Sequence, residues 1–552
     1  MKKKSIKYTA YLLKDTVTEP AYALTEHAME QLGNGNGEEI NVTATHSYED
    51  VELYVFYSDH DWPKWSSEVG RLGKLPDEIK INNSGSIFFV KVSGRWLAIT
   101  FGASFFYLDK RQVVMDFGLK VVVNRLDDKS VKYHEGFEVS KSMRAASQTS
   151  SSVPFGLLSN PSTVEIVKSI SGVLDKQTLS GSTSFKFASE ERIEDVKQGL
   201  EDALLAYGSQ KYKTTKFAVI DKLSPVKDKP LVEQLNDELV AEITQPTDEF
   251  ELGLPILTDH SKDIAFLRLM SVSPKGTKPP EFTDLSLQDY QTALGSELAN
   301  LDIKKLKYHH VSAHDSNGEF VHASNVFKCL IGTLESNASG DPRKYVLNEG
   351  QWFLVSDDFK KNVDDFFLSV RDIGSENEFD PPLIIPTGKK KKDGLEPELD
   401  YNTRIASTHG YILLDQKLVP VPDEPGRGFE ICDILDLTGK RLIHVKKSSR
   451  QSSILSHFIA QGIEPLSYLS SSDDFRQLTH DEIAKQSPSL AKEFLDADLK
   501  DFTVHYLIVD SPRKSSGEFN IPFFSRITLF DRAKSIGNYA KGTSVSFIDV
   551  PT

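Results

Sequence analysis

Cysteine is scarce in this chain, with only Cys329 and Cys432 among 552 residues. Two cysteines cannot build a disulfide framework, and they exclude zinc sites that need paired cysteines. Long apolar runs are also missing: the most apolar stretch, 96–108, is shorter than the roughly 20 residues that a membrane-spanning helix needs. The lysines at 2–4 are not followed by an apolar signal core. We therefore expect a cytoplasmic protein with no membrane association.

Positive charge is in deficit as well, because 65 Lys and Arg face 80 Asp and Glu, for a net charge of −15. This balance excludes a chain coated for general nucleic-acid binding, so any such contact must be local. Apolar residues make up 39% and charged residues 26%, as in ordinary soluble globular proteins. At about 150 residues per domain, the length predicts two to four domains.

The order of predicted helices and strands indicates an α/β (mixed α+β) multidomain fold. We predict an N-terminal mixed α/β domain at 1–145, a middle α/β region at 155–375, a linker at 376–397 and a C-terminal domain at 398–552. The linker prediction rests on prolines, glycines and a run of four lysines. Within the first two regions, 119–124 is predicted as a strand and 162–174 as a helix.

One segment, 438–463, departs from the acidic composition: it has five Lys or Arg, two His and no acid. Two apolar, strand-like runs flank Thr438 and Gly439, which predicts a hairpin followed by a helix. A loop of two or four residues puts Asp433 on the face of His444 and Lys446. A loop of three residues puts it on the opposite face, because a slip of one residue turns a whole strand over.

An acid, an imidazole and an ammonium on one face of a hairpin suit a divalent metal and a phosphodiester. We predict Asp433, His444 and Lys446 as catalytic residues, with Asp433 as the principal metal ligand and Lys446 beside the attacking water. Glu430 and Glu398 are predicted as further carboxylate ligands. The expected ion is Mg²⁺ or Mn²⁺, and a neutral imidazole in the set leaves room for Mn²⁺. The alternative is a solvated polar pair of Asp433 and His444 with no chemistry.

The same segment offers groups for a phosphate backbone. Free N–H groups at the start of the predicted helix favour an anion. The predicted nucleic-acid contacts are Lys440, Arg441, Lys447, Ser449, Arg450, Ser452, Ser453, His457 and Gln461.

Two resemblances follow from these residues. The order helix, three strands, helix, strand in 398–552 resembles the PD-(D/E)xK restriction-endonuclease-like fold, a mixed sheet flanked by helices. That fold has an acid on its second strand and acid-x-Lys on its third, so His444 stands where it has a second acid. Over most of its length the chain resembles a sporadically distributed, uncharacterised bacterial family found near restriction and phage-defence genes. The stretches that carry this likeness are YTAYLLKD (8–15), RWLAITFGASFFYLD (95–109), DFGLKVVVN (116–124), YVLNEGQWFLV (345–355), YN (401–402), FEICDI (429–434), HVKKSSRQSSILSHFIAQG (444–462) and PFFSRITL (522–529).

The resemblances and the hairpin together predict a metal-dependent nuclease acting on foreign nucleic acid, DNA in preference to RNA, in anti-phage defence. The alternative is a catalytically inactive nuclease fold that binds nucleic acid or acts as a sensor. Besides nucleic acid, the candidate partners are a protein of a defence system and a second copy of the chain.

Overall fold

The computed structural model describes residues 6–31, 41–48, 50–61, 81–139, 143–159, 165–189, 192–254, 264–272, 279–385, 394–422, 424–447, 452–510 and 520–550. The chain divides into two compact units. The first comprises Met1–Phe137, Arg144–Pro161 and Ile166–Ile220, and the second takes the remaining segments, including Asp221–Thr552. The predicted boundaries do not coincide with this division. Residues 145–155 lie within the first unit, and residues on both sides of 376–397 belong to the second unit.

The first unit is built on one large sheet. Its elements are β1 (Ile6–Leu12), α1 (Glu26–Gln31), β2 (Asn41–Tyr48), β3 (Val51–Asp61), β4 (Ile81–Val92), β5 (Arg95–Gly102), α2 (Phe117–Arg125), β6 (Val131–Glu138), β7 (Met143–Val153), α3 (Phe155–Leu158), β8 (Glu165–Leu174), β9 (Gln177–Gly181), β10 (Phe185–Ser189) and α4 (Ile193–Gly208). The strands form a ten-stranded sheet in the order β2-β3-β4-β5-β1-β10-β9-β8-β6-β7.

Two predicted elements of this unit are wrong. The valine-rich stretch 119–124 is part of helix α2 instead of a strand, and 162–174 contains strand β8 instead of a helix. Helix α2 begins beside Gly118, where an added Cβ would lie only 1.9 Å from the carbonyl oxygen of Ser184. Close packing of the helix against neighbouring backbone therefore outweighs the strand preference of its valines.

The first part of the second unit, up to residue 376, is also mixed. Its elements are β11 (Leu223–Pro225), α5 (Lys229–Ile243), β12 (Phe250–Leu252), β13 (Phe266–Met270), β14 (Glu281–Phe282), α6 (Leu287–Leu294), α7 (Ile303–Tyr308), β15 (His310–His314), β16 (Phe320–Asn325), α8 (Val326–Cys329), β17 (Leu330–Ser336), β18 (Arg343–Asn348), β19 (Gln351–Val355), α9 (Asp357–Val370) and α10 (Ile373–Glu376). The strands form two antiparallel sheets, β11-β19-β18-β17-β12 and β14-β13-β15-β16.

The C-terminal part of this unit carries the residues of interest. Its elements are α11 (Glu398–His409), β20 (Ile412–Leu413), β21 (Leu418–Pro420), β22 (Gly428–Glu430), β23 (Ile434–Asp436), β24 (Arg441–Lys447), α12 (Ser452–Gln461), α13 (Glu464–Ser471), α14 (Asp473–Ala484), α15 (Pro488–Asp496), β25 (Thr503–Val509), α16 (Phe523–Ile536) and β26 (Gly542–Ile548). The main sheet runs β20-β23-β24-β25-β26, and β21 and β22 form a separate pair.

Strand β24 lies at the centre of the main sheet. It pairs antiparallel with β23, with Asp436 opposite Arg441, and parallel with β25, with Arg441 aligned to Thr503. Its alternating side chains enter two apolar clusters: Leu442 packs with residues of α12, and Ile443 and Val445 pack with residues of α11. The sheet is therefore covered on both faces by helices, and the prediction of a mixed α+β fold is confirmed.

No helix in the described part of the chain is long and apolar enough to cross a bilayer.

Candidate metal centre

Three carboxylates converge at one end of the main sheet. Asp415, Glu430 and Asp433 each offer an oxygen atom, and these oxygens all lie within 4.8 Å of one another. Asp415 comes shortly after β20, Glu430 is the last residue of β22, and Asp433 directly precedes β23. Carboxylate oxygens are the ligands that Mg²⁺ and Mn²⁺ prefer, so the cluster is a candidate site for a divalent cation.

The break between β22 and β23 creates this cluster. The sequence predicts one strand over 429–437, with Glu430 and Asp433 on opposite faces. In the structure the strand is interrupted after Glu430, and β22 and β23 belong to different sheets. The backbone N–H groups of Leu414 and Asp415 both donate to the carbonyl oxygen of Asp433, at 2.8 and 3.0 Å. Strand alternation therefore does not apply to Asp433, and the three acids come together.

Neutral N–H donors hold one oxygen of each carboxylate. The Asn402 side-chain amide donates to Asp415 Oδ2 at 2.7 Å. The Gln416 backbone N–H donates to Glu430 Oε1 at 3.1 Å, and the Val445 backbone N–H donates to Asp433 Oδ2 at 2.6 Å. Because these donors carry no charge, they orient the carboxylates without neutralising them.

Burial raises the pKa of Asp433 well above its ordinary value, and the negative charges of Glu430 and Asp415 act in the same direction. Burial also raises the pKa of Glu430, with contributions from the charges of Asp415 and Glu398. A hydrogen bond between the side chains of Glu430 and Asp433 raises the pKa of Asp433 further and acts to lower that of Glu430. A divalent cation would favour the ionised form of both carboxyl groups.

Lys446 and Glu398 lie beside the cluster. Glu398, the first residue of α11, accepts from Lys446 Nζ at 3.4 Å and from the Lys447 backbone N–H at 2.7 Å. Asn402, one turn further along α11, donates to Asp415, which places the helix next to the three acids. Four residues chosen from the sequence, Asp433, Glu430, Glu398 and Lys446, are thus brought to the same end of the sheet.

The sequence predictions missed Asp415. A signal was present, because Asp415 directly follows the apolar run 411–414, which is predicted as the strand that precedes that of Asp433 along the chain. Acids at the ends of neighbouring strands meet at one edge of a sheet. The prediction required knowing that these two strands are adjacent, which is true in the structure, where β20 pairs with β23.

His444 does not belong to this site, and its predicted catalytic role is wrong. Its ring lies against Tyr506, at a centroid distance of 5.8 Å, and Phe458, at 6.5 Å. The residue is 6% exposed, and its buried Nε2 has no hydrogen-bond partner among the described residues. Burial lowers the pKa of His444 to about 4, so the ring is neutral at pH 7. Alternation along β24 directs it into the apolar cluster under α12, whereas the Asp433 side chain turns away to bond Val445 N–H.

We expect His444→Leu to remove part of the acid sensitivity of the fold. Because the folded-state pKa lies below the unfolded value of about 6.5, the stability associated with His444 is full above pH 6.5 and is lost as pH falls towards 4. Urea unfolding of the wild type and the variant should therefore differ by about 2–3 kcal/mol in their loss of stability between pH 7 and pH 4.5. His505, whose pKa is also lowered to about 4, remains in both proteins. An equal loss in both proteins would contradict the prediction.

Three of the predicted phosphate contacts have intramolecular partners. Arg441 is bonded to Asp436 and Glu378, at 2.8 and 2.7 Å. Lys440 Nζ lies 5.3 Å from the centre of the Phe502 ring. Lys447 Nζ donates to the carbonyl oxygen of Glu396. The structure gives no support to Arg441 as a nucleic-acid contact, because its guanidinium is held by two acids of the protein itself.

The other predicted contacts belong to α12 and the residues before it. His457 and Gln461 are exposed on α12. Ser452 and Ser453 begin that helix, but their side chains lie outside the described structure, as do Ser449 and Arg450 and the lysine run 389–392. The structure therefore leaves the predicted anion site at the start of α12 as a prediction.

Comparison with known proteins gives one match. No curated protein and no solved structure is significantly similar to this chain. A family model described as a family of unknown function, DUF6119, matches residues 8–549. Because that match covers nearly the whole chain, the protein belongs to the DUF6119 family.

Proposed function

We propose that this protein is a metal-dependent nuclease that hydrolyses phosphodiester bonds of foreign nucleic acid, DNA in preference to RNA, in bacterial anti-phage defence. The observation that carries the proposal is the cluster of Asp415, Glu430 and Asp433, together with the Lys446 ammonium bonded to Glu398 on the helix that contacts the cluster. Metal-dependent hydrolysis of a phosphodiester uses acidic metal ligands and a nearby positive charge.

The order of elements around the cluster supports the proposal. Helix α11, strands β20, β23 and β24, helix α12 and strand β25 follow the order of the restriction-endonuclease-like fold. Asp433 precedes the second of these strands, and Lys446 lies near the end of the third. The third strand has His444 where the related fold has an acid. Asp415 and Glu430 would supply carboxylates in its place. The likeness of order is an analogy, because one fold can carry many different activities.

Each residue has a distinct task in the proposed reaction. Asp415, Glu430 and Asp433 would hold Mg²⁺ or Mn²⁺. The oxygen-only set favours these ions over softer metals. A bound ion would polarise a phosphate oxygen and make a bound water more acidic. Lys446 would orient the attacking water or stabilise the charge developing on the phosphate. Glu398 holds that ammonium in place through the 3.4 Å contact.

A second candidate function is a catalytically inactive nuclease fold that binds nucleic acid or serves as a sensor within a defence system. The observation that favours it is the buried, neutral His444 on β24, where the related fold has a second acid. On this alternative, the carboxylates would bind a cation without supporting cleavage.

Cleavage assays with the full chain distinguish the active nuclease from the inactive alternative. We expect plasmid, linear duplex or single-stranded DNA to be cut with Mg²⁺ or Mn²⁺, and not with a chelator. Lys446→Met should lower the rate by about 10²–10³-fold, the typical cost of removing one charge-stabilising group. Lys492→Met, an exposed lysine on α15, is the matched control and should cut like the wild type.

The outcomes are distinct. Equal cutting by the wild type and Lys446→Met would contradict the proposed mechanism. Absence of cutting on DNA and RNA, together with binding that weakens steeply with salt, would favour the inactive alternative.

A further inference from the structure

Asn402 lies directly behind the carboxylate cluster, and we propose that it is a positioning residue for the metal centre. It holds Oδ2 of Asp415 and so directs the other oxygen of that carboxylate towards the ion. This inference rests on the proposed function, because it concerns how the same site binds its metal.

The contact between Asn402 and Asp415 is short and buried. Asn402 Nδ2 donates to Asp415 Oδ2 at 2.7 Å across 13 residues of sequence. Asn402 is 0% exposed and Asp415 8% exposed. A hydrogen bond to a charged oxygen away from water fixes the orientation of the carboxylate strongly.

Helix α11 serves the site through one face. Glu398 and Asn402 are four residues apart, so they lie one turn apart on the same side of the helix. Glu398 contacts Lys446 and the backbone of Lys447, and Asn402 contacts Asp415. The helix therefore orients both the ammonium and one carboxylate of the cluster.

The side-chain oxygen of Asn402 supplies a second, independent observation. Oδ1 is buried and has no hydrogen-bond partner among the described residues. Leaving a buried acceptor unpaired costs about 1–3 kcal/mol. An apolar side chain of similar size would avoid that cost, but it would leave Asp415 Oδ2 without its donor. An unsatisfied acceptor next to three acids also suits a site that gains a cation and its water.

The same helix shows what a purely structural partner for an acid looks like. Arg404 binds Glu396 through both of that acid's oxygens, at 2.8 and 3.3 Å, and neutralises it. At Asp415 the helix instead presents a neutral amide. The charge of Asp415 is therefore retained for a ligand, and an arginine at position 402 would cancel it.

Titration of the full chain with Mn²⁺ alone tests the inference, because it needs no substrate. We expect Asn402→Leu to bind Mn²⁺ about 10–100-fold more weakly, the usual effect of losing an outer partner of a metal ligand. The melting temperature without metal should fall, because the buried Asp415 Oδ2 loses its donor. A purely structural role predicts the same lower melting temperature with unchanged Mn²⁺ affinity.

Asn236→Leu is the matched control. Asn236 is also buried, at 6% exposure, and accepts from Trp352 Nε1 at 3.0 Å. Its replacement should lower the melting temperature and leave Mn²⁺ affinity unchanged. In an Asp415→Asn background, Asn402→Leu should cause no further loss of affinity, because both changes act through one carboxylate.

Asn402→Ser keeps the test decisive if the leucine variant does not fold, because serine is smaller and still polar. It should also weaken Mn²⁺ binding. Wild-type protein that binds no Mn²⁺ would overturn the metal centre itself. If the wild type binds Mn²⁺ and both Asn402 variants bind it equally well, only the positioning role of Asn402 is overturned.

Discussion

Asp433→Asn is expected to abolish metal-dependent cleavage while making the metal-free protein more stable. The asparagine oxygen can still accept from the Val445 N–H, which Asp433 Oδ2 accepts at 2.6 Å. The variant removes a buried negative charge that lies beside Glu430 and Asp415. Cleavage should fall by about 10²–10³-fold or more, since the principal ligand is lost. The proposed function therefore predicts opposite changes in activity and stability.

The stability gained by Asp433→Asn depends on pH, and the raised pKa of Asp433 determines the direction of that dependence. Burial raises the folded-state pKa of Asp433 above the unfolded value of about 3.9, so the folded state binds the proton more tightly. Stability from this group is full below pH 4 and is lost as pH rises through the raised pKa. Each unit of that shift corresponds to about 1.4 kcal/mol. The advantage of Asp433→Asn should therefore grow from pH 4 towards neutrality.

Urea unfolding at several pH values, with and without Mn²⁺, measures these effects. Mn²⁺ should stabilise the wild type by about 2.7 kcal/mol at a concentration one hundred times its dissociation constant, and the variant much less. Wild-type affinity for Mn²⁺ should increase with pH, because the carboxyl groups bind the ion in their deprotonated form. Asp400→Asn, an exposed acid in the first turn of α11, is the control and should change neither quantity. A variant that is stabilised by Mn²⁺ as strongly as the wild type would contradict the assignment of Asp433.

Arg441→Leu is expected to destabilise the second unit by about 3–5 kcal/mol, the usual cost of removing one partner of a buried ion pair. Arg441 contacts Glu378 and Asp436, and the Asp436 side chain is only 2% exposed. The guanidinium also bonds Ser375 Oγ and Tyr411 OH, both at 3.1 Å. Its loss leaves a buried carboxylate without a counter-charge. Denaturant unfolding at pH 7 measures the change.

Arg427→Leu is the matched control for this prediction. Arg427 also pairs with an acid, Glu424, but their side chains are 48% and 42% exposed. An exposed pair of this kind contributes about 0–1 kcal/mol. Adding Asp436→Asn to Arg441→Leu should recover part of the lost stability, because the stranded charge is removed. Similar losses in Arg441→Leu and Arg427→Leu would show that Arg441 is not a structural anchor, and its role in binding phosphate would have to be reconsidered.

The sequence predicted the hairpin of β23 and β24 and the elements after it because their signals are local. Apolar runs on both sides of Thr438 and Gly439 predict both strands, and the observed pairing of Asp436 with Arg441 agrees with the register predicted for a two- or four-residue loop. Helix α12 follows where its apolar stripe indicates. In contrast, helix α2 was predicted as a strand, and strand β8 was predicted as a helix. Their structure depends on close contacts with distant backbone, such as that of Gly118 with Ser184, which no short window of sequence contains.

The candidate site was partly predictable for the same reason. Asp433 and Lys446 were selected from the hairpin, but the direction of the Asp433 side chain depends on the interruption of the strand before β23. Asp415 required knowledge that β20 lies next to β23, and the proximity of Glu430 required knowledge that the chain breaks out of the sheet after that residue. His444 was misassigned because alternation gives the face of a side chain but not whether a helix covers that face. Here α12 covers it, and the imidazole becomes part of the apolar core.

Strand β24 pairs with one strand that is close to it in the sequence and with another that is far from it. Its partner β23 is reached through a tight loop, whereas β25 lies beyond four helices, so the pairing of Arg441 with Thr503 must close a long stretch of chain. Closing such a stretch costs roughly 3–4 kcal/mol of chain entropy before any contact compensates for it. During synthesis, the segment from Glu398 to Lys446 leaves the ribosome well before β25 and β26. We therefore expect the hairpin to form early and the parallel half of the sheet to set the pace of folding.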